Sequence, residues 1–490
     1  MYASPVFPST PLCRASPDGS LVATLNAQTI SVRSVETLQL KHTIPLPSTL
    51  GPVTSLQWSP SSARLMICAG EGVHLFSAHA DSSFHAAIHS PLLPGERASI
   101  ARFGARDAEV LLCSPSGLKL AIFDLATSTA VEVANPKFHQ QSSVGRSYSV
   151  RAGTEHLAVL TRLGGKDFVS IHHPVSRQVQ RSWAAETVDA QSVCWTPDGK
   201  WLLLWESAAH GHQLVLYTAD GQHFRTITGA NLSDNPDAVL ELGIKTCQPN
   251  HTSDLCAVGD HSRAVIWQEQ LNTSRDGQTI HTFQRATQPI SPPGVPSDGK
   301  PIEAKPGCSI LAFDASSTLL ATRLDDAPCT IWIWDIAAAE LRAVLVFHSV
   351  VTFSWHKHTR ELLLISTAQD EGALTYLWDP LLEGPTPVVP EEFISTRSAA
   401  GGGAPLKAQI SWINADMEFP LALLSTAQQY RILSLGEGDQ VPETWRGASK
   451  WDDEALPRRR MAREAFDPDI SDLSVDDGAA VEDTFSFRKM

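Results

Sequence analysis

Apolar and polar positions alternate along this chain in short runs, each closed by a turn signal, and the same grammar returns again and again. The clearest unit is SVCWTPDGKWLLLW, from Ser192 to Trp205, followed by a third run, QLVLYTADG, from Gln213. Period-two alternation places successive side chains on opposite faces of a strand. Pro197, Asp198 and Gly199 supply a fixed φ, an Asx-type turn and a permissive φ, which together reverse the chain between strands. The unit therefore predicts three strands of a four-stranded meander.

Copies read LCRASPDGSLVATL from Leu12, TSLQWSPSSARLMICAG from Thr54 and SILAFDASSTLLATR from Ser309, the last running on into TIWIWDI. Weaker copies begin at Ile100, Ser149, Lys245, Val351 and Ala408, which makes nine units in all. Their pitch lies near the ~40 to 45 residues of a propeller blade. Trp58, Phe103, Trp195, Phe313, Trp355 and Trp412 occupy equivalent inner-strand positions, where bulky rings fill the space between neighbouring sheets. Trp334-Asp335 and Trp378-Asp379 match the WD dipeptide at the end of a third strand.

A lone four-stranded blade cannot bury both faces, so the units must stack into a closed ring. The fold expected is all-β: a WD40-type β-propeller, a single ring of about nine four-stranded blades, with seven blades plus an irregular appendage as the alternative. The last unit offers three strands, AQISWI, LALLS and YRILSL, and the N-terminal YASPVFPST carries a surplus run. Pro5, Val6 and Phe7 are thus expected to complete the final blade and close the ring.

Residues 1–435 form the propeller in this reading, with inserted loops at about 270–306 and 380–407, and 436–490 a charged, disordered tail. The tail carries Trp445, Trp451 and the run Arg458, Arg459, Arg460. Aromatic side chains beside split charges suit a segment that docks on a partner or back onto the propeller. Ser291 and Thr386, each before a proline in an inserted loop, are candidates for proline-directed phosphorylation.

Composition narrows the function more than the fold. Charged residues are only 19% against 42% hydrophobic, enough apolar material for large cores, and the formal net charge of -15 disfavours nucleic acid and anionic membrane as partners. The N-terminus lacks the features of a signal peptide, and no apolar run approaches ~18 residues, which points to a cytoplasmic protein. Eight cysteines are scattered singly, as small core residues are. Phosphate-cradling, zinc-hydrolase and nucleophile-elbow motifs do not occur. The pairs His210/His212 and His172/His173 lack further ligands at metal spacing. No enzyme activity, cofactor or metal is expected.

One stretch carries a specific likeness. KPGCSILAFDASSTLLATRLDDAPCTIWIWDIAAAELRAVLVFHSVVTFSWH, Lys305 to His356, resembles the WD-repeat family of centrosomes and spindle poles, and KDFVSIHH from Lys166 and ELGIKT from Glu241 extend the match. Cys247-Gln248-Pro249 departs from the family's Trp-Ser-Pro turn, and the tail matches nothing in it. The resemblance implies a non-catalytic scaffold at the spindle pole body or centrosome. Its partners would be a coiled-coil microtubule-anchoring protein and, in fungi, a minus-end-directed kinesin. A second reading from another class is a translation-initiation-factor-like propeller docking on ribosome or tRNA; the acidic balance counts against it.

Overall fold

The computed structural model describes residues 2–26, 28–70, 72–89, 100–114, 117–137, 147–207, 210, 213–228, 247, 265–273, 279–286, 308–358, 361–368, 374–382, 384–388, 408–415, 417, 419–436, 442–445 and 486–489. They form eight antiparallel meanders arranged as propeller blades. The first blade is Cys13–Ala15, Leu21–Asn26, Thr29–Ser34 and Leu40–Pro45. The second to seventh span 53–89, 100–134, 148–184, 190–228, 308–346 and 350–387, and the eighth is built on 409–434.

Each meander follows the alternation read from the sequence. In Leu21–Asn26 and Trp201–Glu206 the middle positions are buried on both faces, whereas outer strands such as Val179–Ala184 are largely exposed. Second and third strands thus lie between neighbouring sheets. Their cores link in sequence: apolar clusters join the eighth blade to the first, the first to the second, the second to the third, the third to the fourth and the fourth to the fifth. Others join the sixth to the seventh and the seventh to the eighth.

The tryptophans at inner-strand ends also tie blades together through hydrogen bonds. Trp58 Nε1 donates to the Arg14 carbonyl at 2.9 Å, Trp355 Nε1 to Ala312 at 2.8 Å and Trp412 Nε1 to Ser354 at 2.9 Å. In each case the acceptor lies on the first strand of the preceding blade, so one side chain fills the gap and satisfies a polar group across it.

Eight blades are found among the described residues where nine were expected, and the difference lies in the unit from Lys245. Most of its first half is outside the described residues. Its later strands, Val265–Thr273 and Thr279–Arg285, do not make a sheet of their own. Val265 to Gln268 pair in parallel with Ala343 to Val346, giving the sixth blade six strands. A two-stranded hairpin cannot bury its faces alone, so it adds to an available edge. The expected inserted loops shrink accordingly: Thr279–Arg285 is strand, and Thr386–Pro387 is the outer strand of the seventh blade, followed by buried Val388.

Ring closure joins the two ends of the propeller as expected. Tyr2–Ala3 and Phe7–Pro8 pair antiparallel with Gln429–Ser434, with Tyr2 opposite Ser434 and Phe7 opposite Tyr430. The strand is broken at Pro5-Val6, because proline has no N–H to continue the ladder, and Val6 is exposed. Ser4 bridges the gap: its N–H donates to the Ile432 carbonyl and its hydroxyl accepts from the Ile432 N–H, at 2.8 and 2.9 Å. Across the seam Gly19, at φ +73°, packs so close to the eighth blade that a Cβ there would collide with the Ala415 backbone.

Candidate interaction sites

The seam between first and eighth blades recruits one of the tail residues. Glu443–Trp445 is a single 3-10 turn, and Trp445 is only 2% exposed. Its Nε1 donates to the Val35 carbonyl at 3.0 Å, and its ring lies 6.1 Å from that of Tyr2. Phe7, Cys13, Val35, Leu38, Tyr430 and Ile432 complete the cluster. Of the two roles open to the tail aromatics, Trp445 takes docking back onto the propeller, so it offers no surface to a partner. Trp451, Arg458, Arg459 and Arg460 lie outside the described residues. The last described stretch, Ser486–Lys489, adds a fifth strand to the second blade beside His85–His89.

Buried charge ties neighbouring blades together. Arg177, in the turn before the outer strand of the fourth blade, reaches Glu109 on the third; the Arg177 Nε and Nη2 donate to the two carboxylate oxygens, and both side chains are 4% exposed. Glu109 Oε2 also accepts from the Ala105 N–H, and Arg177 Nη1 donates to the Glu155 carbonyl. Asp167, fully buried, accepts from Lys137 Nζ at 2.9 Å and from the Ala190 N–H at 2.7 Å, linking the third, fourth and fifth blades. Each carboxylate oxygen has a donor, which is the condition for burying such a group without large loss.

The comparisons with known proteins follow the same line. No family model matches the chain. The mouse WD repeat-containing protein WRAP73 is 24% identical over 421 residues, which covers 75% of this chain and 84% of that protein. An uncharacterised WD repeat-containing protein of Schizosaccharomyces pombe is 22% identical over 401 residues, covering 75% and 78%. The chain is a β-propeller similar to WD repeat-containing proteins. Among solved structures, the β-propeller domain of Myceliophteria thermophila Cps50 (Swd1) has a TM-score of 0.38 and 14% identity, over 77% of this chain and 99% of that one. A eukaryotic initiation factor chain has 0.44 and 10%, over 78% and 87%. At these values neither bears on function.

The histidines and cysteines of this propeller sit where structural residues sit. His172 is buried, its Nδ1 2.7 Å from the Arg177 carbonyl and its Nε2 2.9 Å from Ser170 Oγ, and burial lowers its pKa. His173 turns outward and its Nδ1 accepts from the Val175 and Ser176 N–H groups. His210 is exposed, and its expected companion His212 lies outside the described residues. No group of three metal-binding side chains occurs among the described residues. Burial pushes the thiol of Cys13 up to about 12 and that of Cys113 to about 11, so both stay protonated. Thr386 is exposed in its short strand with its hydroxyl donating to the Leu377 carbonyl; Ser291 lies outside the described residues.

Sequence reasoning missed one polar concavity. On the face that carries the turns between first and second and between third and fourth strands, a cleft of about 200 Å³ opens at the junction of fourth and fifth blades. Arg151, His156, Gln180, Arg181, Trp195 and Asp220 line it. These residues are spread over 70 positions of the chain, with no motif to announce them; only the irregularity of the fourth unit's SVRAGTEHL, with an arginine after the first strand, was visible.

Proposed function

We propose that this WD-repeat propeller is a non-catalytic scaffold at a microtubule-organising centre, a spindle pole body or centrosome. There it would help anchor microtubule minus ends and organise the mitotic spindle. The observation that carries this reading is the likeness of the Lys305 to His356 stretch to the WD-repeat family of centrosomes and spindle poles. Its residues 308–356 form the sixth blade and the first strand of the seventh. The match to two WD repeat-containing proteins over three quarters of the chain supports the scaffold part of it.

Physical features agree with a platform. The buried ionic groups described above hold blade to blade, and the turns present exposed apolar side chains such as Leu381, Leu382 and Val175. Turns on a rigid ring are where a scaffold presents contacts without deforming. The partner proposed is a coiled-coil anchoring protein, joined in fungi by a minus-end-directed kinesin. An amphipathic helix or extended segment of the coiled-coil protein would supply the contact.

Affinity purification of the tagged full chain from mitotic cells, with imaging against a spindle-pole marker, tests this. Recovery of a coiled-coil anchor together with pole localisation is the expected result. Ribosomal proteins with diffuse cytoplasmic signal would overturn it in favour of a translation-linked propeller.

A further inference from the structure

The cleft between fourth and fifth blades lies where one inner-strand tryptophan departs from the pattern of three others. Trp58, Trp355 and Trp412 each donate Nε1 to a carbonyl of the preceding blade. Trp195 occupies the same place in the fifth blade, at the end of Ala190–Trp195, and is equally buried. Its backbone N–H donates to Ser149 Oγ on the fourth blade's first strand, yet its Nε1 has no acceptor among the described residues. A buried indole N–H without a partner costs about 1–3 kcal/mol. Trp195 lines the cleft, and the Arg151 guanidinium lies over its ring.

The charges around it favour an anion. The Arg151 guanidinium lies 5.3 Å from the Trp195 ring centroid, anchored by its Nε donating to the Gly199 carbonyl at 2.7 Å. Arg181 donates Nη1 to the Asp220 carbonyl at 3.0 Å. Neither arginine has a carboxylate within ion-pairing distance among the described residues, in a chain whose net charge is -15. The carboxylate of Asp220 is held in its own turn by the Thr218 hydroxyl. Burial, and after it the nearby charge of Arg151, lowers the pKa of His156. The volume is below the ~300–1,000 Å³ of a small-molecule pocket and suits a single side chain.

We propose that this cleft receives one anionic side chain, a glutamate, aspartate or phosphorylated serine, from a partner segment laid across the turn face. Arg151 and Arg181 supply the charge, and the Trp195 ring forms the wall under Arg151. Anchored guanidinium groups lose little freedom on binding, and charge-assisted bonds to an anion are stronger than neutral ones. The site concerns the chemistry of one contact and holds or fails whatever the partner's address in the cell.

The test uses the purified full chain and fluorescence anisotropy with three labelled peptides of equal length: oligoglutamate, a phosphoserine peptide and oligoglutamine. Binding of an acidic peptide that weakens with salt, and no binding of oligoglutamine, is expected. Arg151→Gln and Arg181→Gln should each weaken it about tenfold, the loss of one charge-assisted bond. Arg102→Gln, an exposed arginine on the third blade, should leave it unchanged. A preference between the two acidic peptides identifies the source of the anion. Failure of both acidic peptides to bind, or binding that survives in both arginine variants, overturns the site. Should Arg151→Gln fail to fold because its tie to Gly199 is lost, Arg181→Gln, on an outer strand, decides alone.

Discussion

Replacing Trp445 with alanine probes how the ring is held shut. The indole sits among side chains from both ends of the propeller: Tyr2 and Phe7 from the N-terminal clasp, Tyr430 and Ile432 from the eighth blade, Val35 and Leu38 from the first. A tryptophan buries roughly 150–250 Å², which at ~25 cal/mol per Å² amounts to about 4–6 kcal/mol of gross transfer energy. Loss of Nε1 also leaves the Val35 carbonyl without this donor, at about 1 kcal/mol. Against this stands the entropy of ordering the segment that carries Trp445, about 1–2 kcal/mol for each backbone residue fixed. The segment can undock while the blades remain folded, so the net loss is capped by the docking energy. We expect about 2–4 kcal/mol, at the low end of core tryptophan-to-alanine losses. Urea unfolding of the full chain reads it as a lower midpoint with an unchanged slope. Hydrogen exchange should quicken first at Tyr2 to Phe7, whose strand pairs with Gln429–Ser434. A chain ending at Gly436 should lose at least as much, and adding Trp445→Ala to it is meaningless by construction, so the two must agree in sign. A midpoint within ~0.5 kcal/mol of the parent, the range of an ordinary surface substitution, would refute the reasoning.

Three further outcomes follow from the blade junctions. Arg177→Met strands the buried Glu109 carboxylate and should cost about 3–5 kcal/mol in chemical unfolding, while Glu109→Met with Arg177→Met together should recover much of it, since an apolar pair can replace a buried ionic one; a double variant no better than the single sinks this. Gly19→Ala forces a Cβ against the Ala415 backbone at a positive φ, so it should lower the thermal midpoint, whereas Gly153→Ala, at positive φ but with open space around it, should cost only the backbone strain; equal losses would discount the close approach. Acidification gives the last: burial lowers the pKa of His172, as it does for His74 and His85, so the unfolded chain takes up protons first. Stability is therefore flat above ~6.5 and falls as pH drops below it, until the folded groups protonate. His172→Gln should make the fall shallower, and an unchanged slope in a pH series of urea midpoints counts against it.

How far sequence alone reached can be seen in particular residues. The meanders were legible because period-two alternation and turns such as Pro197-Asp198-Gly199 act locally: Asp198 accepts from the Thr196 hydroxyl and the Lys200 N–H within its own turn, and Gly199 takes φ +68°. Closure through the N-terminus was legible for a related reason, since a surplus strand at one end and a missing one at the other admit few pairings. Other features depend on which elements meet across the ring. Sequence could show that the unit from Lys245 is weak, but its later strands join the sixth blade because that sheet offers a free edge. Trp445 reads as one more polar-flanked aromatic until the seam presents a cavity and the Val35 carbonyl to it. The cleft of Arg151, Arg181 and Trp195 is the extreme case. Its members lie on two blades and carry no common spacing, and two arginines without a carboxylate partner among the described residues meet there only in three dimensions. Local backbone preferences are written residue by residue, whereas the satisfaction of a polar group depends on what the rest of the fold brings within about 3 Å of it.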